Sequence, residues 1–144
     1  MNGMLNRLQN IGSSDEALAK QVIGLAMKVH RTLGCGFLES VYAHALLIEL
    51  RKAGIDHERQ RVYPVHYDEI EIGIFHADLV IENRLIVELK SVEALSVAHS
   101  VQLVNYLAAA EVDLGLLLNF GTRSLEFKTK TRIYPSGEPP LLQS

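Results

Sequence analysis

Three stretches of the chain place apolar residues at the three- and four-residue spacing of a helix with one buried face. The first follows a capping box formed by Ser13 and Glu16, and it ends at Gly34. The second covers residues 39–53 and the third covers residues 96–110. The predicted core positions are Leu18, Val22, Leu25, Val29 and Leu33 in the first helix, Val41, Ala45 and Ile48 with Tyr42 and Leu46 beside them in the second, and Val97, Val101, Val104 and Leu107 or Ala108 in the third.

Between and after the last two helices the pattern is that of strands, alternating in some segments and wholly apolar in others. Pro64 cannot donate a ladder hydrogen bond, so the first strand is predicted to lie at a sheet edge or to carry a bulge. The apolar run "LGLLLNF" predicts a strand buried on both faces. The predicted strands are 59–67, 70–81, 84–90, 114–120 and 124–128.

This order of elements predicts an α/β fold in a single domain of residues 1–144. Three consecutive strands form an antiparallel meander, and a crossover helix then leads to a further strand, so the central sheet is mixed and flanked by helices. The ends, residues 1–12 and 135–144, carry little pattern and are predicted to be loosely ordered.

Charge and cysteine content exclude several classes of protein. The net charge of −3 excludes a general basic surface, so any contact with nucleic acid must use a local patch. Cys35 is the single cysteine, which excludes an internal disulfide framework and fits a reducing cytoplasm. No signal peptide or membrane-spanning run is evident, and we therefore predict a cytoplasmic protein that does not enter a membrane.

Three charged residues interrupt otherwise apolar strands in "HADLVIENRLIVELKS", residues 76–91. These residues are Asp78, Glu88 and Lys90. An unpaired buried charge costs several kcal/mol, so their presence needs either mutual pairing or a ligand.

The length of the hairpin loop decides whether these charges meet. A three-residue loop at 82–84 pairs Ile81 with Leu85, and the same register then sets Asp78 opposite Glu88. It would also set His76 opposite Lys90. A two-residue turn would separate the carboxylates onto opposite faces.

Two carboxylates a few ångström apart repel each other unless a proton or a cation lies between them. A hard divalent ion such as Mg²⁺ prefers oxygen ligands and needs only one or two protein carboxylates. Lys90 would then lie near a metal-associated water or a scissile phosphate, which suits metal-assisted phosphodiester hydrolysis. The alternative is a structural ion pair between Lys90 and one of the acids at a sheet edge.

Two further motifs accompany the charged hairpin. "GFLESVY" contains Gly36, Glu39 and Tyr42 at the start of the second helix, and "QLVNY" contains Gln102 and Tyr106 on the third. Together with the D…E-x-K pattern they resemble the PD-(D/E)XK nuclease superfamily, and more narrowly the small bacterial GxxExxY proteins. The resemblance implies a restriction-endonuclease-like core.

The resemblance also implies a role for each matching residue. Asp78 and Glu88 match the metal-binding carboxylates, and the main-chain carbonyl of Leu89 would be a further metal ligand. Lys90 matches the lysine that orients or activates the attacking water. Glu39 matches a glutamate that reaches the metal directly or through water from the first core helix.

The remaining matches concern substrate contacts and local support. Gln102 and Tyr106 are expected beside the site, against Lys90 or the nucleic-acid backbone. Gly36 is expected to adopt positive φ or to allow a close approach, and Tyr42 to pack in the core or near the site. The residue before Asp78 is alanine where the motif name has proline, and His76 stands where relatives often carry arginine; its imidazole would contact phosphate.

These observations predict a Mg²⁺- or Mn²⁺-dependent nuclease that cuts DNA rather than RNA. The rival hypotheses are a catalytically silent nuclease-fold module that binds nucleic acid and a protein-interaction module with a structural acidic cluster. The short chain suggests that a homodimer or a partner protein completes substrate recognition. Phosphate contacts would come from basic residues if they converge near Asp78: Arg59, Arg61, Arg123, Lys128, Lys130 and Arg132.

Overall fold

The computed structural model of the protein describes the backbone of residues 2–132 and the side chains of residues 14–132. The helices are α1 Asn2–Leu33, α2 Glu39–Lys52 and α3 Val97–Ala110, and the strands are β1 His57–Tyr67, β2 Ile70–Ile81, β3 Leu85–Lys90, β4 Leu114–Asn119 and β5 Glu126–Thr131. None of the helices in this described range has the length and apolar character needed to span a membrane.

The strands form one five-stranded sheet in the order β1-β2-β3-β4-β5. The first three strands are an antiparallel meander, β4 runs parallel to β3 after the α3 crossover, and β5 is antiparallel to β4. The predicted mixed sheet flanked by helices is therefore confirmed. Strand β1 lies at one edge, where Pro64 is tolerated, and the register shifts between Val65 and His66.

The sheet buries an apolar layer on each face. Helices α1 and α2 cover one face, where Leu79, Val87 and Leu116 belong to the larger core cluster. Helix α3 covers the other face, where Ile86 and Leu117 meet residues of α3 in a second cluster. Strands β3 and β4 are thus buried on both faces, which explains their continuous apolar sequence.

The predicted start of the first helix at the Ser13 capping box is wrong, because α1 begins at Asn2. A capping box contributes only about 1 kcal/mol. The preceding segment contains leucine, methionine, arginine and glutamine, which favour helix, and the helix continues through it. Residues 135–144 lie outside the described residues, as do the side chains of residues 1–12, so the predicted loose ends stay a prediction.

Helix α2 covers residues 39–52 as predicted, but its buried face is not the predicted one. Tyr42, Leu46 and Leu50 are completely buried, whereas Val41 and Ile48 are exposed. Both sets of residues have helical spacing, so periodicity alone could not choose between them. The large aromatic ring of Tyr42 decides the choice, because it stacks on the buried ring of Phe120.

Helix α3 shows the same kind of error in its predicted core stripe. Ser96 caps its N-terminus and forms a capping box with His99. The predicted burial of Leu107 is confirmed and Leu103 is buried as well, whereas Val97 and Val101 are exposed. The apolar positions surround more than one face of this helix, and leucine fills the space above the sheet better than the shorter valine.

The observed face of α2 leads to a matched pair of predictions. Leu46→Ala is expected to lower the free energy of unfolding by about 2–5 kcal/mol, because Leu46 is fully buried. Ile48→Ala is expected to change it by less than about 0.5 kcal/mol, because the Ile48 side chain is 54% exposed. Urea unfolding of the two variants beside wild type measures both values. Equal losses would contradict the observed orientation of α2.

Candidate functional site

The charged hairpin has the predicted register. Ile81 pairs with Leu85 across the three-residue loop, and the ladder continues to the pair Leu79 and Val87. Beyond that pair, hydrogen bonds from main-chain N–H groups to carboxylate oxygens replace those between main-chain groups. The Leu89 N–H donates to Asp78 Oδ2 at 2.8 Å, and the Asp78 N–H lies 3.4 Å from Glu88 Oε1. The predicted meeting of these two carboxylates is confirmed.

Strand β2 changes the direction of its side chains at Asp78. Phe75, Ala77 and Val80 belong to the cluster under α3, whereas Leu79 belongs to the cluster under α1 and α2. Strict alternation cannot give this pattern, so the strand is irregular at Asp78. The residue opposite, Gln60, has φ +55° and does not pair with Asp78 in the described register. The distortion frees the Asp78 carboxylate to turn towards β3, and Gln60 Nε2 lies 3.5 Å from Asp78 Oδ1.

The same irregularity overturns the predicted position of His76. Alternation from Phe75 and Ala77 places the exposed His76 on the face opposite Val80. His76 pairs with Val62 of β1, and no pair between His76 and Lys90 exists in the described register. A phosphate contact from His76 beside Lys90 therefore has no support in the geometry.

Glu88 is almost completely buried, with 5% of its surface exposed. Burial raises the pKa of Glu88 from 4.5 to about 9, and the neighbouring negative charge of Asp78 contributes in the same direction. The ammonium of Lys90 lowers this pKa only slightly. Near neutral pH the protein therefore holds one proton on this carboxylate pair, at a position where a cation could replace it.

The carbonyl group of Leu89 points to the same gap as Asp78. The next carbonyl, that of Lys90, accepts from the Phe120 N–H and so faces β4. Because successive residues of a strand direct their main-chain groups to opposite sides, the N–H and C=O of Leu89 both face β2. Two carboxylates and one carbonyl thus border the gap between β2 and β3.

Lys90 is half-buried at the end of β3. Alternation from Ile86 places it with Glu88 on the face that α3 covers. The ion pairs within 4.0 Å in the described part of the chain involve Asp15, Glu49 and Glu58 on the acidic side, not Asp78 or Glu88. The structural ion pair that was the alternative for Lys90 is therefore not formed.

Glu39 lies near β2 and β3 on the face of the sheet that α1 and α2 cover, opposite to the face of Glu88 and Lys90. It is the first residue of α2 and is exposed to solvent. With Asp78 and Leu89 it lines a cavity of about 170 Å³. Glu39 and Glu88 thus approach Asp78 from the two faces of the sheet.

Tyr42 explains how the G-x-x-E-x-x-Y motif fixes Glu39. The buried Tyr42 hydroxyl donates to the Gly34 carbonyl at 2.6 Å and accepts from the Phe37 N–H at 3.2 Å. Gly36 lies between these two contacts with φ +114°, a conformation that a side chain would strain. The predicted positive φ of Gly36 is confirmed. The motif closes the loop between α1 and α2 and sets the position at which α2 begins.

Of the two residues on α3, only Tyr106 approaches the carboxylates. Its ring stacks on Phe75 with centroids 4.0 Å apart. Burial raises the pKa of the Tyr106 hydroxyl, and the charges of Glu88 and Asp78 raise it further, so it lies within their field. Gln102 is exposed, and no hydrogen bond joins it to Lys90 among the residues described.

The six basic residues do not converge on this site as a group. Only Arg59 lines the cavity beside Asp78 within the described residues, and its guanidinium lies 3.1 Å from His44 Nε2. Arg61 is occupied by Glu58 and Asn83. The candidate site therefore offers one arginine for a phosphate, together with Gln60, whose place in it no sequence pattern indicated.

A buried asparagine supports the segment that follows Lys90. The side-chain oxygen of Asn119 accepts from the N–H groups of Val92 and Gly121, both at 3.0 Å. Its amide nitrogen donates to the Val92 carbonyl and to Glu126. Gly121 is required here, because a Cβ atom would lie 2.3 Å from the Val92 carbonyl oxygen.

The donor set fits one divalent ion bound by few protein ligands. Oxygen donors from Asp78, Glu88 and Leu89 suit Mg²⁺ or Mn²⁺, and the raised pKa of Glu88 indicates that two negative charges here need a compensating positive charge. No group of three or more His, Cys, Asp or Glu side chains in residues 14–132 is arranged to hold a metal ion. Glu39 is therefore not a direct third ligand in this arrangement, and water would have to bridge it.

Comparison with known proteins identifies the family. A sequence model of the PD-(D/E)XK nuclease superfamily matches residues 16–132. The chain belongs to this superfamily. PD-(D/E)XK nucleases generally use divalent metal ions, in agreement with the oxygen donors described above. No curated protein sequence matches the chain significantly.

The fold is similar to that of a solved structure, "Crystal structure of SSO0001". The similarity covers 67% of this chain and 51% of that one, with a TM-score of 0.53 and 15% sequence identity. The chain therefore spans about half the length of SSO0001. At this identity the similarity establishes the fold alone.

Proposed function

We propose that this PD-(D/E)XK chain is a nuclease that hydrolyses phosphodiester bonds of DNA with Mg²⁺ or Mn²⁺. The observation that carries the proposal is the contact between Asp78 and Glu88 at the end of β3, with Lys90 on the same strand. The narrower assignment to the GxxExxY proteins belongs to this proposal, and so does a cytoplasmic location for the chain with its exposed Cys35.

Each residue of the site has a distinct task in this proposal. Asp78, Glu88 and the Leu89 carbonyl would hold the ion, which supplies positive charge and a Lewis acid next to the scissile phosphate. Lys90 holds its ammonium beside the carboxylates, where it can orient the attacking water or neutralise a phosphate oxygen. Glu39 borders the cavity from α2 and would contact the hydrated side of the site.

The surroundings of the site assist substrate binding in this proposal. Arg59 lines the cavity and offers a fork of N–H donors to a phosphate. Tyr106 stacks on Phe75 on the side of α3 and lies within the field of Glu88 and Asp78. Gln102, exposed one turn earlier on α3, would meet the nucleic-acid backbone rather than Lys90. A second copy of the chain or a partner protein would enlarge this small binding surface.

One observation favours a second candidate, a catalytically silent module that binds nucleic acid or a protein. The raised pKa of Glu88 favours its neutral form, and the described residues contain no group of three metal-binding side chains. In that case Glu88 stays protonated, and the acids have a structural role between β2 and β3.

Metal removal distinguishes the two candidates. Purified protein with Mn²⁺ or Mg²⁺ is expected to cleave linear, circular or single-stranded DNA, and EDTA is expected to abolish cleavage. Asp78→Asn should lower metal affinity by at least about tenfold, because it removes a charged ligand. Isothermal titration calorimetry and gel assays measure the two effects.

Glu71→Gln is the matched control for the loss of one surface charge, since Glu71 is exposed on β2 away from the site. Cleavage that survives both EDTA and Asp78→Asn would come from a contaminant and would reject the nuclease. Absence of any divalent-ion binding by wild type would leave the silent module.

A further inference from the structure

A groove opens on the other side of Glu39 from the cavity that contains Asp78. It has a volume of about 750 Å³ and lies between the loop that precedes α2 and the segment that follows Lys90. Phe37 and Leu38 line it on one side, Ser91 and Glu93 on the other, and Gly121 completes it. This volume is within the range of roughly 300–1,000 Å³ that small-ligand sites span.

Phe37 is an exposed aromatic residue held in a fixed position at this groove. The side chain is 48% exposed. Its N–H donates to the Tyr42 hydroxyl, and its carbonyl accepts from the Ser91 hydroxyl at 2.9 Å. The ring also meets Tyr42 edge-on, with centroids 6.1 Å apart. Because hydrogen bonds fix the main chain of Phe37 on both sides, its ring loses little conformational entropy when it stacks on a flat ligand.

The polar residues of the groove suit a base and not a phosphate. None of the described residues that line it is basic, and two of them, Glu39 and Glu93, carry carboxylates. These carboxylates repel a phosphate but accept hydrogen bonds from an amino group, as acidic side chains do with the exocyclic amine of cytosine. The arginine of the region, Arg59, lies instead in the cavity beside Asp78.

We propose that this groove binds one unpaired nucleobase with an exocyclic amino group, stacked on Phe37, next to the phosphodiester that reaches Asp78. The inference rests on the proposed nuclease function and adds its substrate class: single strands, or duplexes with unpaired ends. Glu39 borders both spaces, so a base in the groove has its own phosphate at the entrance of the cavity. In this arrangement the base stacks on the ring of Phe37, and the carboxylate of Glu93 accepts a hydrogen bond from the amino group of the base. The sugar–phosphate backbone then leads towards Arg59.

Binding of oligonucleotides tests the inference separately from cleavage. Fluorescence anisotropy is recorded with labelled oligo(dC), oligo(dT) and a duplex of equal length, using Lys90→Ala protein in Mg²⁺ to slow cleavage, and a gel of each sample verifies that the oligonucleotide is intact. We expect oligo(dC) to bind more tightly than oligo(dT), and both more tightly than the duplex. Phe37→Ala should weaken binding of oligo(dC) by about fivefold to a hundredfold, and Phe37→Trp should restore it. Glu93→Gln should reduce the preference for oligo(dC) over oligo(dT).

Phe127→Ala is the matched control, because Phe127 is 43% exposed on β5 and does not line the groove. Thermal unfolding by circular dichroism verifies that each variant is folded. The inference is overturned if Phe37→Ala binds like Phe127→Ala, if the duplex binds as tightly as the single strands, or if no oligonucleotide binds. If wild type does not cleave DNA but these differences in binding are observed, the nuclease function is rejected and the proposed base-binding site is retained.

Discussion

Replacing Lys90 with alanine is expected to slow DNA cleavage by about a hundredfold to ten-thousandfold while metal binding stays within about threefold of wild type. The ammonium lies on the same face of β3 as Glu88, but nitrogen of a charged lysine is not a metal ligand. It therefore acts on the water or the phosphate, and its loss affects the rate of the chemical step. Single-turnover cleavage gives the rate, and calorimetry with Mn²⁺ gives the affinity.

The control for Lys90→Ala is Lys20→Ala, which removes an exposed lysine from α1 far from the sheet edge. Its cleavage rate should equal that of wild type. If the Lys90→Ala protein retains full activity, Lys90 has no role in cleavage and serves only as a residue of strand β3. Loss of metal binding together with activity would instead indicate that Lys90 maintains the structure of the carboxylate pair.

The meeting of Asp78 and Glu88 could be derived from sequence because hairpin register depends on local features. The loop at 82–84 has three residues, and each flanking strand has a strong apolar pattern that resists slippage by one position. Once Ile81 pairs with Leu85, counting brings Asp78 and Glu88 to the same end of the hairpin. The order of elements predicted the mixed sheet in a similar way, since a helix between two neighbouring strands provides the crossover that a parallel pair requires.

The distortion at Asp78 could not be derived in the same way. It depends on positive φ at Gln60, a residue type that does not favour this conformation, so neither strand contains a local signal. Alternation along a regular strand therefore predicted His76 opposite Lys90, whereas the irregular strand places His76 on the face away from Lys90. The carboxylate of Asp78 stabilises the distortion itself, because it replaces a ladder partner for the Leu89 N–H.

The buried faces of helices α2 and α3 were predicted wrongly for a different reason. Helices α2 and α3 are apolar over more than one face, and the face that becomes buried depends on the sheet beneath it. Tyr42 illustrates this, since its buried position requires both Phe120 at the end of β4 and the loop that its hydroxyl closes. Long-range partners of this kind are not visible in a window of one helix.

Without a divalent ion, the stability of the protein is expected to fall as pH rises from about 5 to 9, and Glu88→Gln is expected to remove most of this fall. The pKa of Glu88 is raised from 4.5 in an unfolded chain to about 9 in the folded one. Between these values the folded state binds a proton that the unfolded state has lost, so the free energy of unfolding falls as pH rises. The contribution of Glu88 is complete below pH 4.5 and is lost as pH rises towards 9.

The magnitude of this effect is on the order of a few kcal/mol across the window, since one pH unit corresponds to at most about 1.4 kcal/mol for a single proton. Guanidinium unfolding at several pH values in EDTA measures it. Glutamine at position 88 is neutral at every pH and can still donate to Asp78, so its curve should be flatter. Glu71→Gln, on the exposed part of β2, should keep the slope of wild type.

A divalent ion should reverse this pH dependence, because its binding to Asp78 and Glu88 would require Glu88 to lose its proton. Binding to the folded state alone adds RT ln(1 + [M]/Kd) to the free energy of unfolding, so Mn²⁺ or Mg²⁺ should stabilise wild type. The gain should be larger near pH 9 than near pH 6, where the ion must first displace the proton. Glu88→Gln should gain much less at both pH values. Identical metal effects in wild type and Glu88→Gln would mean that the ion binds elsewhere, and the proposed centre would have to be abandoned.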